Sequence, residues 1–69
     1  MMDSETIDRR AFERWRGDGW FLLSQYTKPR RVKFFLVNAA TGEYRVRMKD
    51  KIIYQGRDLD AAIAAYNAI

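Results

Sequence analysis

The sequence predicts a single small α+β domain, arranged α-β-β-β-β-α, with an antiparallel meander sheet and both helices packed on one of its faces. Three observations lead there. An apolar stripe at helical spacing opens the chain and another closes it. Between them, short aromatic and β-branched runs alternate with turn residues, and the connections are of hairpin length, too short for parallel crossovers. The chain has 69 residues, which leaves room for one domain spanning 1–69, since a domain usually takes roughly 100 residues or more.

The opening helix is expected from Asp3 or Ser4 as N-cap to Arg16, because Ile7, Ala11, Phe12 and Trp15 fall on one face. Glu5 and Asp8 near its start and Arg14 and Arg16 near its end complement the helix dipole. Gly17-Asp18-Gly19 stops it. Trp20 to Tyr26 reads as a strand of imperfect alternation, ended by Thr27-Lys28-Pro29-Arg30-Arg31. Val32 to Val37 is almost wholly apolar, as in a strand covered on both faces or one whose second face serves an interface. We expect Phe34 and Leu36 to point inward, with Lys33, Phe35 and Val37 outward.

Asn38 to Gly42 forms the next hairpin loop, with Gly42 suited to a left-handed turn position. Glu43 to Met48 alternates cleanly, so Tyr44, Val46 and Met48 face the core and Glu43, Arg45 and Arg47 face out. A turn through Lys49-Asp50-Lys51 leads to an edge strand, Ile52 to Gln55. Gly56-Arg57 breaks the run. Asp58 then caps a helix on which Leu59, Ala62, Ile63 and Tyr66 recur at i, i+3, i+4 and i+7.

Composition limits the chemistry. An apolar content of 48% and an aromatic content of 14% are too high for a disordered chain. The chain has no Cys and no His, which removes disulfides, thiolate nucleophiles and the commonest acid-base group and metal ligand. Its Ser and Thr residues have no histidine to activate them, and no phosphate-binding glycine loop is present. Asp58 and Asp60 are explained by the helix N-terminus rather than by a metal. We therefore expect no enzymatic activity, no cofactor, no metal and no small-molecule substrate. The acidic opening lacks the features of a secretory signal and no run is long enough to span a bilayer, so the expected location is cytoplasmic, without a membrane partner.

Charge is concentrated rather than spread. The chain carries 13 Lys and Arg against 9 Asp and Glu, a net charge of +4, yet 28–57 holds nine of the cations and only Glu43 and Asp50 as acids. Arg45 and Arg47 on the outward side of a strand, with Lys33 and Phe35 expected beside them, form a cationic and aromatic face suited to nucleic acid. Lys and Arg displace the counterions of phosphates, and rings or guanidinium planes stack on bases. Lys28, Arg30, Arg31, Lys49 and Lys51 extend that field if their turns lie on one side. Trp15 and Trp20 read as core packing material. The alternative is a protein-interaction module: an inhibitor, adaptor or self-associating subunit. It would bind an acidic protein or form a homodimer through Phe35, Val37 and the edge strand with Ile53.

From Val32 to Ala68 the three strands, Gly56, Asp58, the Ala-rich run and Ala65-Tyr66-Asn67 resemble two DNA-binding modules. These are the plant ethylene-response-factor type of domain and the arm-binding domain of phage tyrosine recombinases, each a three-stranded sheet against a helix. The resemblance implies that outward sheet residues enter the major groove. It would assign DNA contact to Arg45, Arg47 and Lys33, favour DNA over RNA, and suggest an accessory or regulatory factor of phage or mobile-element type. Arg57 stands where the plant family usually has an aromatic, the middle-strand Trp of that family is absent, and the first 31 residues have no counterpart.

Overall fold

The strand with the clearest alternation, β4 (Glu43–Met48), organises the sheet. In the computed structural model, which describes residues 2–12, 19–28 and 31–69, Val46 is fully buried and Tyr44 packs against the core. Arg45 and Arg47 take the opposite face, as expected from the sequence. β4 follows β3 (Arg31–Asn38) through the loop 39–42. Asn38 shapes that loop from within: its carbonyl accepts from the Gly42 amide at 2.8 Å and its side-chain oxygen accepts from the Ala40 and Thr41 amides at 3.0 and 3.3 Å. Gly42 takes φ 73°, the left-handed region that glycine enters without steric cost.

This loop decides the facing of β3. Asn38 pairs with Glu43, Val37 with Tyr44 and Phe35 with Val46, and directly opposed residues share a face. Lys33, Phe35 and Val37 are therefore buried, and Phe34 and Leu36 turn away from the core, the reverse of the expected facing. A loop running from Asn38 to Gly42 would have set Phe34 opposite Val46. Closing the hairpin at Asn38 and Glu43 shifts the pairing by one residue, and such a shift exchanges every side chain between faces.

β2 (Trp20–Lys28) pairs antiparallel with β3 and carries a bulge at Leu23, so that Leu22 opposes Leu36 and Ser24 opposes Phe35. Leu23 and Ser24 are consequently both buried, which accounts for the poor alternation of this run. β5 (Lys51–Gly56) forms the other side of β4 and an edge of the sheet, with a second bulge at Ile53. Beyond β2, β1 (Met2–Asp3) adds in parallel, giving the order β1-β2-β3-β4-β5.

The helix α1 (Leu59–Ala68) crosses β3, β4 and β5 on one face. Asp58 caps it, accepting from the Ala61 amide at 3.1 Å, and Ala62 and Tyr66 are fully buried. Phe35 meets the Tyr66 ring edge-on at 5.8 Å and the Tyr44 ring at 6.1 Å. Gly56 lies under Tyr54: a Cβ there would fall 2.6 Å from the Tyr54 hydroxyl, which accepts from the Asp58 amide at 3.2 Å. No helix among the described residues is long and apolar enough to cross a membrane.

Polar groups bind the layers together. Lys33, fully buried, donates from Nζ to the Tyr66 carbonyl at 2.7 Å and sits 4.3 Å from the Tyr66 ring centre and 5.8 Å from that of Tyr26. The Tyr66 hydroxyl donates to the Ser4 carbonyl and lies 3.1 Å from the Ser24 hydroxyl. One tyrosine thus joins α1 to β2, β3 and the N-terminal segment.

That segment is not the helix expected from Asp3 onward. Met2–Asp3 is a strand and only Arg9–Phe12 makes a 3₁₀ turn, while the part of the expected helix on 13–16, with Trp15, lies outside the described residues. Tertiary partners take the hydrogen bonds a helix would need. The Ser4 amide donates to the Gln25 carbonyl at 2.9 Å. The Asn67 side chain accepts from the Ile7 amide at 2.8 Å and donates to the Ile7 carbonyl at 2.9 Å. Ile7 is buried, as its place in the stripe suggested, but from an extended segment. Arg9 then pairs with Asp60 through two hydrogen bonds of 3.0 and 2.8 Å, and that hydrogen bonding, followed by the carboxylate's charge, raises the Arg9 pKa above its ordinary value.

Two outcomes follow for stability. Lys33→Met keeps the apolar stem and removes the donor to Tyr66, so urea unfolding should show a loss of about 1–3 kcal/mol, the cost of an under-satisfied buried acceptor. An unchanged or higher urea midpoint would show that the ammonium is dispensable. Gly56→Ala should displace the Tyr54 ring and its bond to Asp58, lowering stability by about 1 kcal/mol, within the range for overpacking and lost hydrogen bonds. A wild-type midpoint would contradict the close approach.

Candidate functional site: the open face of the sheet

The face of the sheet opposite α1 is built in rows by the strand register. Leu22, Leu36, Arg45 and Gln55 form one row across β2, β3, β4 and β5. Gln25, Phe34, Arg47 and Ile52 form the next. Trp20, opposite Asn38, lies beyond the first row. Trp20 and Leu22 of β2 and Phe34 and Leu36 of β3 thus form an apolar strip, with Gln25 of β2 polar beside it and arginines on β4.

The arginines lie down on this surface. The Arg45 guanidinium is 4.3 Å from the centre of the Trp20 ring, and its Nε donates to the Gln55 side-chain oxygen at 3.2 Å. Arg47 lies 5.5 Å from the Phe34 ring centre and donates from Nε and Nη2 to the Lys49 carbonyl at 3.4 and 3.2 Å. Such cation–π contacts are worth roughly 0.5–1 kcal/mol at exposed sites, and they favour keeping the guanidinium groups beside the rings. Among the described residues neither arginine meets a carboxylate, so both charges remain available to an anion.

The cationic turns gather at one end of the sheet. Lys28 pairs with Arg31 where β2 meets β3, Met48 pairs with Lys51 where β4 meets β5, and Lys33 of β3 pairs with Met48. The Lys49 amide donates to the Val32 carbonyl at 2.9 Å, bringing the two hairpins into direct contact. Lys49 and Lys51 are exposed there with Asp50 between them, and Lys49 takes φ 56° in the turn. Lys28 and Arg31 reach this end by backbone position, while Arg30 lies outside the described residues.

Several residues assigned to this surface from the sequence lie elsewhere. Lys33, Phe35 and Val37 are buried under α1, where neither a nucleic acid nor a protein partner reaches them. The register of the loop 39–42 is the cause. Ile53 is 40% exposed and Ile52 50% exposed on the edge strand, in keeping with the expected edge. Trp20, read from the sequence as core, is 41% exposed. Phe34 and Leu36, expected to point inward, lie on this surface instead, and Leu22 and Gln55 join it without having been singled out. The pairing of Asn38 with Glu43 is the signal that would have found them, since it fixes which residues of β3 share a face with Arg45 and Arg47.

The face can therefore stack planar groups on ring–guanidinium pairs and bind phosphate at the adjoining basic end. Comparisons with protein-family models, with curated proteins and with solved structures find no match for this chain.

Proposed function

We propose that the chain is a small, non-catalytic binding module that contacts nucleic acid through the open face of its sheet. The observation that carries this reading is the pairing of Arg45 with Trp20 and of Arg47 with Phe34, next to an end of the sheet where Lys49 and Lys51 are exposed. Phosphates supply the affinity by releasing counterions, and the ring–guanidinium pairs give the bases a surface to lie on. The resemblance to sheet-based DNA-binding domains agrees with this for Arg45 and Arg47, though not for the buried Lys33. It further points to an accessory or regulatory role of phage or mobile-element type.

A second reading has its own support. β5 is an edge strand with two exposed isoleucines, Ile52 and Ile53, and an open edge accepts a further strand from another protein or another copy. Under that reading Ile53→Asp abolishes association. Under the leading one it leaves nucleic-acid affinity near wild type, and sedimentation equilibrium shows a monomer before and after the change.

The double change Arg45→Glu and Arg47→Glu tests the leading reading. Titration of labelled nucleic acid at about 50 and about 200 mM salt should show affinity falling at least tenfold, with the salt slope reduced by about two contacts. Wild-type affinity and slope in the double variant would overturn the assignment of the site.

A further inference from the structure

We infer that the ligand of this face is single-stranded rather than duplex nucleic acid, and specifically single-stranded DNA, bound by base stacking on the Trp20–Arg45 and Phe34–Arg47 pairs. The inference rests on the nucleic-acid reading and narrows it. Three features support it.

The first is breadth. The rows run over four strands, β2 to β5, spaced about 4.8 Å apart, so the face is about 14 Å across between strand axes alone. The major groove of a duplex is about 12 Å wide and takes a helix or a two-stranded ribbon. A face four strands broad, one strand wider than the three-stranded sheets that the resemblance places in a major groove, does not fit there.

The second feature is the posture of the arginines. Reading base edges in a groove needs guanidinium groups projecting from the surface. Here Arg45 is laid over Trp20 and fastened to Gln55, and Arg47 is turned back to the Lys49 carbonyl beside Phe34. A guanidinium held on a ring offers a planar cation, the partner of an unstacked base. Bases within a duplex are already stacked on one another and cannot use it.

The third is the layout. Arg45 and Arg47 are two residues apart on β4, about 6.8 Å along the strand, so the two stacking positions are neighbours. The basic end with Lys49 and Lys51 lies just past Arg47, where the backbone of a strand leaving the second position finds counter-charges. Between the two stacks are Leu22 and Leu36, which offer no group to hydrogen-bond a ribose 2′-hydroxyl. That apolar divide favours deoxyribose.

The test is fluorescence anisotropy on the full chain with four labelled probes of equal length. They are an oligothymidylate, the matching oligouridylate, a duplex, and a strand of abasic sites carrying the same phosphates. We expect the oligothymidylate to bind at least tenfold tighter than the duplex or the abasic strand, and at least as tightly as the oligouridylate. Trp20→Ala and Phe34→Ala should each weaken oligothymidylate binding about tenfold, the scale of one lost aromatic stack, and leave the abasic strand unaffected. The abasic comparison uses the unaltered chain, so it decides the matter even if a variant fails to fold. Equal or tighter duplex binding, or equal abasic binding, overturns the single-strand inference while the nucleic-acid reading stands. A tenfold preference for the oligouridylate overturns the choice of DNA. Absence of salt-dependent binding to all four overturns both.

Discussion

The ammonium of Lys33, enclosed beneath α1, is the constraint around which the structure is arranged. Moving a cation out of water costs several kcal/mol unless it is paired or hydrogen-bonded, and here it meets the Tyr66 carbonyl at 2.7 Å near the C-terminal end of the helix. That end carries the negative pole of the helix dipole and suits a cation. The ring of the same tyrosine lies within cation–π range, and its hydroxyl reaches Ser4 and Ser24. These groups meet at only one register of β3. A slip of one residue would set an apolar side chain under Tyr66 and leave its carbonyl short of a donor. In a domain of this size, whose core cannot be large, such polar specificity selects one packing among several apolar ones.

The open face follows from that choice. With Lys33, Phe35 and Val37 committed to the core, the alternation of β3 sends Val32, Phe34 and Leu36 to the other side. The second face of the sheet therefore carries an apolar strip of Trp20, Leu22, Phe34 and Leu36 that would be a liability if left bare. Arg45 and Arg47 lie across part of it, their stems and planar heads shielding Trp20 and Phe34 without neutralising the charge. A cover of this kind can be shared with a ligand, because a base stacked over the guanidinium extends the contact the protein already makes.

Local signals in the sequence were sufficient for much of this. The alternation of Glu43 to Met48 located Arg45 and Arg47, Asp58 marked the start of α1, Gly42 marked the turn, and the edge position of β5 followed from its shortness and place in the order. The facing of β3 was not legible, because Val32 to Val37 is apolar on both faces and only a one-residue difference in loop length separates the two solutions. A lysine in such a run reads as an outward residue unless its helix partner is known, and Tyr66 lies 33 positions away. The N-terminal stripe misled for a related reason. Ile7 does reach the core, but the backbone around it bonds to Gln25 and Asn67, partners that local periodicity does not reveal.

The most direct measurement is a map of backbone amide chemical shifts by NMR as oligothymidylate is added. If the register set by Lys33 and Tyr66 creates the binding surface, the perturbed amides will lie around Trp20, Leu22, Phe34, Leu36, Arg45 and Arg47 and at the hairpins near Lys49. The amides of α1 and of Ser4 to Asp8 will remain still. Perturbations centred on α1 or on the Arg9–Asp60 pair would place the ligand on the other side of the sheet and contradict the account.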